Sequence, residues 1–535
     1  MMASVDNIVR PVGSQAKFNT ARHSLGILRA VIVTCRYRIP ATHLRQQSAS
    51  LQDAVESALA NVVLRQAILG VGIAAEDTKE PVFIHLKTID MRRMIEWKEI
   101  ITPGATSDIH TETKKKEALY EDRLLRALEK YHEPVWEDLA GKPGWKIVVH
   151  HDPRQLGVKD DKDDALLSFD ISFCFHHAYS DGRGGYIFHS DLQRALNEGA
   201  RPTELQNHIL HLLTPPAIPP AMSDLIPLSL SWAYILRTVW TEIVGAIPMP
   251  FFIRRLLGFE PNKAEIPWTG APIDALNPKT HVRTLFKIED EAQLTRILAQ
   301  CRSHKTTLTG LLHALIARSL ACHVKDRSFR SSTPISLAGY ADPKVVGSTF
   351  TPGETIHCLV TGFQCNHDLD TVRQLRQSGD KNGTRVGEDQ TVWAFAQDMT
   401  ARLRAKAASL PRDDIIGLSG LIGDWHEFFR KKFGKARADT WELSNLGSLA
   451  VVDTGFSGSE DAGNDQSAGK AERWFIDRAV FTQGNSTGPA VNINVAGVAA
   501  HGIHATVCWQ DGVVDVELVE KLVRDVQTWV AGLVG

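Results

Sequence analysis

The sequence Phe169-Asp-Ile-Ser-Phe-Cys-Phe-His-His-Ala-Tyr-Ser-Asp-Gly-Arg-Gly-Gly185 joins an alternating segment to a glycine-rich turn. From Leu167 to Phe175 every second residue is a large apolar one, and the residues between them are serine, aspartate or cysteine. A period of two is typical of a half-buried strand, so we predict a strand that ends at the histidine pair. The glycines that follow allow a sharp turn, and a helix is predicted after them.

The two histidines at the end of this strand are the first candidates for chemistry. His177 has the same parity as the phenylalanines, so we predict that it points into the interior and that His176 points the other way. An imidazole with an unperturbed pKa of about 6.5 can accept and return a proton near neutral pH. His177 is therefore the candidate general base, and His176 is a candidate for contacting substrate or an oxyanion.

The histidine pair also allows two roles that need no general base. The pair could cap a core strand with all its hydrogen bonds satisfied. A zinc site could be built from His176, His177, Asp181 and His189. Adjacent histidines on opposite faces of a strand cannot easily share one ion, so no metal site is predicted.

Composition restricts the class of protein. A chain of 535 residues suggests two domains. Its 43% hydrophobic and 23% charged residues are typical of a soluble globular protein, and a net charge of -2 argues against nucleic-acid binding. The seven cysteines form no CxxC pair, and no secretory signal is recognisable at the N-terminus, which favours a reducing, cytoplasmic location.

The sequence divides into an N-terminal half, residues 1–214, a proline-rich crossover, residues 215–280, and a C-terminal half, residues 281–535. Strand and helix patterns mix in both halves, which predicts an α/β protein with a mixed sheet covered by helices in each. In the crossover, Leu225 to Phe259 is apolar but interrupted by Arg237 and Glu242, so it is not predicted to span a membrane. A helix packed on the domain seam or beside a hydrophobic acceptor pocket is favoured, and a helix lying on the surface of an internal membrane is the alternative.

The segment His176-His177-Ala178-Tyr179-Ser180-Asp181-Gly182 resembles the HHxxxDG signature of the acyltransferase superfamily related to chloramphenicol acetyltransferase. Two further segments, Arg22-His-Ser-Leu-Gly26 and Ser444-Asn-Leu-Gly447, are similar to the fungal alcohol O-acetyltransferase branch, and trichothecene 15-O-acetyltransferases are another similar group. The DFGWG signature of the plant enzymes is absent, so the chain does not resemble that subfamily.

This resemblance implies two similar domains with the active site at their interface. It implies that Asp181 pairs with an arginine and holds the histidine loop in shape, while Gly182 supplies the bend of that loop. Ser444 and Asn445 are candidates for oxyanion contacts, because a polar pair at the end of a strand can face a developing charge.

The implied reaction transfers an acyl group, most simply acetyl from acetyl-CoA, to a hydroxyl of a small and largely apolar alcohol such as a secondary metabolite. Attack is expected to be direct, in a monomer with no tightly bound cofactor. The match Gly484-Asn-Ser-Thr-Gly488 is followed by Pro489 and a strand pattern, which does not suit a nucleophile elbow. A condensation-type enzyme with a carrier-bound donor and a catalytically silent binding module are the alternatives.

Overall fold

The computed structural model describes residues 7–41, 50–101, 109–153, 166–240, 266–274, 277, 279–347, 349–379, 386–450, 473–484 and 487–534. The part of the apolar segment that follows Trp240 lies outside these residues. The strands are β1 Ile8–Pro11, β2 Val31–Pro40, β3 Val71–Ala74, β4 Val82–His85, β5 Thr88–Asp90, β6 Ile95–Glu99, β7 Trp145–His151, β8 Leu166–Phe175, β9 Leu205–Gln206, β10 Ile209–His211, β11 Thr280–Ile288, β12 Phe329–Ser336, β13 Val360–His367, β14 Trp441–Leu449, β15 Phe475–Gln483, β16 Val491–Val498 and β17 Gly502–Gln510.

The helices lie between these strands and cover the sheets. They are α1 Ser14–Ser24, α2 Leu51–Arg65, α3 Met91–Met94, α4 Ile109–Tyr131, α5 Gly182–Glu198, α6 Met222–Leu225, α7 Trp232–Val239, α8 Glu291–Ser303, α9 Leu308–His323, α10 Leu369–Gly379, α11 Gln390–Ser409, α12 Trp425–Arg430 and α13 Val516–Val534. Short 3₁₀ turns occupy Ala67–Gly70, Ala338–Tyr340, Val386–Glu388 and Ile415–Leu421. The predicted α/β class, with mixed sheets covered by helices, is confirmed.

A five-stranded sheet in the order β15-β2-β8-β7-β6 forms the centre of the N-terminal half. The strand β8 pairs along its whole length with β2, from Val31 opposite Phe175 to Pro40 opposite Leu166. Alternation in β8 sends Phe169, Phe173 and Phe175 into the main apolar core, where Phe173 stacks on Phe188 of α5 with 3.9 Å between the ring centroids. This packing fixes the end of β8, and therefore the place where the histidine turn begins.

The second large sheet has six strands in the order β11-β17-β16-β14-β12-β13. Its outer face is apolar and packs against α8, α9, α11 and α13, with residues such as Trp441, Leu443 and Ile493 in one core. Its inner face carries polar side chains that contact the five-stranded sheet. For example, Thr506 of β17 donates to the carbonyl of Phe481 in β15 at 2.7 Å. Buried polar groups of this kind need partners, so the inner face is a seam of hydrogen bonds between the halves.

The strand β15 comes from the C-terminal half of the chain but belongs to the N-terminal sheet. It pairs antiparallel with β2, and the register runs from Phe475 opposite Arg38 to Gln483 opposite Val31. Gln483 then reaches across to Asn494 of β16, with 2.8 Å between the amide nitrogen and oxygen. The two halves are therefore joined through a shared strand at the end of β2 nearest the histidine turn.

The described helix of the apolar crossover segment is α7. It was predicted to pack on the seam between the halves, but large apolar side chains of this helix are exposed. Trp232 is 79% exposed and Leu236 is 64% exposed. The N-terminus of α7 is fixed instead by Asp413, which accepts from the backbone and hydroxyl of Ser231 at 2.6 and 3.0 Å. None of the helices in the described part of the chain is long and apolar enough to cross a bilayer.

Candidate active site

The histidine pair lies in a turn and not in the strand. The strand β8 ends at Phe175, the residues from His177 to Tyr179 form a turn, and α5 begins at Gly182. The alternation therefore stops before the histidines. His176 was expected to point away from the interior but is only 1% exposed, so that expectation was wrong. His177 is half-buried, and its predicted inward direction stays a prediction.

The turn fixes the tautomer of His177. Its Nδ1 lies 2.8 Å from the carbonyl oxygen of Ser180, and because a carbonyl can only accept, Nδ1 carries the proton. The lone pair is therefore on Nε2, and no described residue forms a hydrogen bond with Nε2. The carbonyl of His177 itself accepts from Asn19 of α1 at 3.1 Å, which holds the residue from the other side.

Burial and a neighbouring cation keep the His177 imidazole neutral. Burial, followed by the positive charge of Arg22, lowers the pKa of His177 to about 3. Both effects penalise the imidazolium, since a buried charge loses hydration and like charges repel. At neutral pH the ring is therefore present with an available Nε2 lone pair, the form that a general base requires.

A cysteine approaches the same imidazole from the C-terminal half. Cys358 Sγ lies 3.6 Å from Nδ1 of His177 and accepts from Asn19 Nδ2 at 3.5 Å. Burial raises the pKa of the Cys358 thiol far above its usual value. The thiol therefore stays protonated, and it faces the nitrogen of His177 that carries a proton and not the basic one.

The resemblance implied that Asp181 pairs with an arginine, but the described residues do not show this pair. No arginine of the described residues lies within ion-pair distance of its carboxylate. Its Oδ1 instead accepts from the backbone of Gly184 at 2.9 Å and caps α5, while Oδ2 accepts from the backbone of Leu359 at 3.0 Å. Burial raises the pKa of this carboxyl. Asp181 thus joins the histidine turn to the loop that carries Cys358.

Gly182 has a packing role and not the predicted bending role. It is not among the residues with positive φ, so no left-handed conformation requires glycine here. A Cβ at this position would lie 2.5 Å from Cδ2 of Leu446, so a larger residue would require the Leu446 side chain to move. Glycine therefore lets the first turn of α5 pack closely against β14.

His176 belongs to a buried cluster with His23 and Glu76. Glu76 Oε1 lies 2.7 Å from His176 Nε2 and 2.9 Å from His23 Nδ1. The two hydrogen-bonded histidines lower the pKa of Glu76 to about 2 against the opposing effect of burial. Burial and the neighbouring His176 lower the pKa of His23 to about 4. A carboxylate between two imidazoles is the result.

Among the described residues, these three side chains form the group that could hold a metal ion, because their possible ligand atoms lie within 4.8 Å of one another. It is not the set considered from the sequence, since His189 bonds instead to Tyr37 and to the carbonyl of Val33. The second nitrogen of each clustered ring accepts from a backbone amide, His23 Nε2 from Trp136 and His176 Nδ1 from Ala178, both at 2.9 Å. The nitrogens that face Glu76 therefore carry protons, and a metal would have to displace them.

Ser444 and Asn445 lie in β14 and line a cavity of about 650 Å³ together with Asp181, Gly182 and Leu359. His177 is outside this lining, on the other side of the loop that carries Cys358. The amide of Asn445 donates to Thr309 Oγ1 at 3.2 Å and its oxygen accepts from the backbone of Gly447. The structure therefore brings four predicted site residues to one cavity, and the oxyanion role of Ser444 and Asn445 stays a prediction.

Two charged residues near His177 were not singled out from the sequence for their chemistry. Arg22 of α1 is near both His177 and Glu442, since its charge lowers the pKa of His177 and opposes the rise in the pKa of Glu442. Burial, followed by the nearby Asp439, raises the pKa of Glu442 to about 7. Arg22 was noted only as part of a family-like segment, and only its position in a polar helix before a strand could have drawn attention to it.

Comparison with known proteins identifies the family. The family model described as alcohol acetyltransferase matches residues 46–334, more than half of the chain. The chain belongs to the alcohol acetyltransferase family. It is similar to a probable alcohol acetyltransferase, FCK4, of Fusarium pseudograminearum, with 26% identity over 98% of this chain and 96% of the relative. It is also 22% identical to a probable alcohol acetyltransferase, crmB, of Aspergillus fumigatus, over 94% of this chain and 95% of that protein.

Solved structures support the fold of this alcohol acetyltransferase family member. The trichothecene 15-O-acetyltransferase TRI3 of Fusarium sporotrichioides aligns with a TM-score of 0.61 at 14% identity, covering 98% of this chain and 94% of its own. The condensation domain of the polyketide synthase MokA aligns with a TM-score of 0.51 at 11% identity, covering 98% and 96%. At these identities the likeness concerns the fold alone. The two-domain architecture related to chloramphenicol acetyltransferase is confirmed.

Proposed function

We propose that this family member transfers an acyl group, in the first place acetyl, from acyl-CoA to a hydroxyl of a small and largely apolar alcohol, with His177 as the general base. The observation that carries the proposal is the fixed tautomer of His177. Its Nδ1 proton is held by the Ser180 carbonyl, and its Nε2 has no hydrogen-bond partner among the described residues. A base needs such an unoccupied and correctly protonated nitrogen within reach of the reacting hydroxyl.

The reaction requires one proton to move twice. His177 Nε2 removes the proton of the hydroxyl while the alcohol oxygen attacks the thioester carbonyl carbon, and the resulting imidazolium is held by the Ser180 carbonyl. When the carbon–sulfur bond breaks, the imidazolium returns the proton to the departing thiolate. Asp181 takes no part in the proton transfer, because both of its oxygens are bonded to backbone amides.

Direct attack is favoured over an acyl-enzyme on Cys358. A cysteine beside a histidine is the arrangement of a nucleophilic pair. Here, however, burial raises the pKa of the thiol, and Sγ lies 3.6 Å from the protonated nitrogen Nδ1. His177 therefore cannot remove the thiol proton in this tautomer, and Cys358 is assigned to packing.

The test is the release of free thiol from acetyl-CoA by the purified protein, over a panel of alcohols and hydroxylated terpenoids. His177→Ala is compared with a matched control, His501→Ala, at an exposed histidine in the turn between β16 and β17. We expect thiol release that depends on the acceptor, is lost in His177→Ala and is retained in His501→Ala. Equal release by wild type and His177→Ala would overturn the assignment of the base.

Two alternatives can be tested with the same assay. A donor bound to a carrier protein is suggested by the condensation-domain fold, and it predicts transfer from an acylated phosphopantetheinyl protein but not from acyl-CoA. A silent binding module predicts no transfer from either donor. The intact His177, Asp181 and Gly182 argue against the silent module.

A further inference from the structure

Arg22 is a charged side chain near His177 that forms no ion pair in the described part of the chain, although the carboxyl of Glu442 is close enough to act on its charge. No carboxylate of the described residues lies within ion-pair distance of its guanidinium, and its Nε is buried without any hydrogen-bond acceptor. The buried Arg318 is by contrast paired with Asp389 at 3.0 Å. An unpaired buried cation destabilises a fold, so its presence indicates a role outside folding.

Arg22 is nevertheless held in place. Its Nη2 donates to Asn19 Oδ1 at 2.5 Å, and its guanidinium lies over the ring of Phe18, 4.3 Å from the centroid. Asn19 in turn donates to the carbonyl of His177 at 3.1 Å. These contacts place the guanidinium beside the backbone of His177 and orient it through two neighbours of the same helix.

The charge of Arg22 opposes the role of His177 unless a negative charge appears during the reaction. A cation beside the imidazole makes the imidazolium less favourable, which by itself weakens the base. Acyl transfer creates a negative oxygen at the thioester carbonyl at the same moment as the imidazolium. A fixed cation that faces both groups stabilises the pair of charges, although it disfavours the imidazolium alone.

We propose that Arg22 is a catalytic residue, which donates a guanidinium N–H to the oxyanion formed when the alcohol attacks the thioester. The assignment rests on the proposed function. In the first step the alcohol oxygen–carbon bond forms, the hydroxyl proton passes to His177 and the carbonyl electron pair moves to the oxygen that Arg22 contacts. In the second step that pair returns, the carbon–sulfur bond breaks and His177 gives its proton to the thiolate.

The test measures kcat and KM for both substrates in Arg22→Gln and Arg22→Lys, with Arg318→Gln as the matched control at a buried arginine far from the site. Loss of one oxyanion donor lowers kcat by about 100- to 1,000-fold with little change in KM. We expect this loss in Arg22→Gln, a smaller loss in Arg22→Lys, which keeps the charge, and an unchanged kcat per folded molecule in Arg318→Gln.

A second readout separates catalysis from a structural role. The groups that face His177 are Arg22 from α1, His176 from the same turn, Cys358 from the loop before β13 and Asp181 at the start of α5. Removal of the Arg22 charge raises the pKa of His177 and makes it a stronger base. The acid limb of kcat/KM should therefore move to higher pH in Arg22→Gln while kcat falls, a combination that mere loosening of the turn does not produce.

Chemical rescue provides the third readout. Methylguanidine added to Arg22→Ala is expected to restore part of kcat, and to leave Arg318→Gln unaffected. An active wild type with unchanged kcat in Arg22→Gln and Arg22→Lys would overturn the assignment and leave the proposed function standing. A wild type that transfers to no acceptor would instead overturn the proposed function, and the assignment with it. If Arg22→Gln does not fold, unchanged kcat in Arg22→Lys is sufficient to reject the assignment.

Discussion

The two adjacent histidines of this chain have opposite surroundings. Both ring nitrogens of His176 are occupied, one by Glu76 at 2.7 Å and one by the backbone amide of Ala178 at 2.9 Å. In His177 only Nδ1 is occupied, by the Ser180 carbonyl at 2.8 Å. Position in the sequence therefore does not decide which histidine can act as a base, because the partner of each ring fixes where its lone pair lies.

The cluster around His176 contains one histidine, His23, that resists protonation. A His23 imidazolium would have two N–H groups, but Nε2 of His23 faces the backbone N–H of Trp136. Protonation of His23 would therefore break a hydrogen bond in the interior. The region around His177 differs because its Nε2 has no hydrogen-bond partner among the described residues. Substitutions at these positions test this division between a structural and a chemical histidine.

The largest effect is expected from removing the chemical histidine. His177→Ala should lower kcat by about 100- to 10,000-fold, the usual contribution of a general base, with a small change in stability because the side chain is half-buried. His176→Ala should instead lower the free energy of unfolding by about 1–3 kcal/mol, since it removes one of the two imidazole partners of Glu76 and leaves the Ala178 amide without its acceptor. Thiol release and urea unfolding of the two variants give both quantities. A lower kcat in His176→Ala than in His177→Ala would reverse the two roles.

Acid should affect stability before it affects the chemical step. The folded-state pKa of His23 is lowered to about 4, below the value of about 6.5 in an unfolded chain, so the unfolded state binds its proton first as the pH falls. His23 alone then accounts for a loss of about 3 kcal/mol of stability between pH 6.5 and 4. Other buried histidines with pKa values lowered to about 4 add to this loss: His132, His150, His189, His357, His367 and His504.

The control for this prediction is His23→Asn, which removes one of these titrating groups. Its stability should fall less steeply than that of the wild type between pH 6.5 and 4, as measured by urea unfolding at a series of pH values. In the same range kcat per folded wild-type molecule should stay constant, because the pKa of His177 is lowered to about 3. Parallel curves of stability against pH for His23→Asn and wild type would contradict the lowered pKa of His23.

A smaller effect is expected at Asp181, which holds the chemical histidine in place. Asp181→Asn keeps the cap of α5 if its oxygen faces Gly184, but it then turns an NH₂ group toward the N–H of Leu359. We expect a loss of about 1–3 kcal/mol of stability and a lower kcat, because the loop with Cys358 is released from the turn. Thermal unfolding and thiol release measure both. Unchanged unfolding of Asp181→Asn would show that the bond to Leu359 has no structural role.

Patterns within a short stretch of sequence predicted the local structure well. The strand β8 ends at Phe175, where the alternation ends, and the predicted helix follows the glycine turn as α5. These elements follow from hydrophobic periods that are complete within the element itself. The predicted direction of His176 was wrong because the period was continued past Phe175 into a turn.

The partners that give the site its chemistry come from distant parts of the chain. Glu76 lies in a polar turn that resembles any surface loop, and Asp181 bonds to backbone amides, which leave no trace in the sequence. The resemblance to the superfamily led to His177 but implied an arginine partner for Asp181 that is not found among the described residues. Contacts of this kind depend on how β14, β15 and the loop before β13 are brought against the turn.

The smallest effect is expected at Cys358, although it is the side chain of the C-terminal half that approaches the His177 ring, at 3.6 Å. If attack is direct, Cys358→Ala removes only a buried thiol and a weak acceptor for Asn19, so kcat should change by a few-fold at most while stability decreases slightly. An acyl-enzyme on Cys358 would require the opposite, a loss as large as that in His177→Ala. Mass spectrometry of the wild type incubated with acetyl-CoA alone should then also show an acetylated cysteine. Absence of the adduct, together with an active Cys358→Ala, would show that Cys358 forms no acyl-enzyme and would leave the proton transfer to His177. Cys358 would then be a neighbour that covers the Nδ1 side of the ring, while the lone pair stays on Nε2.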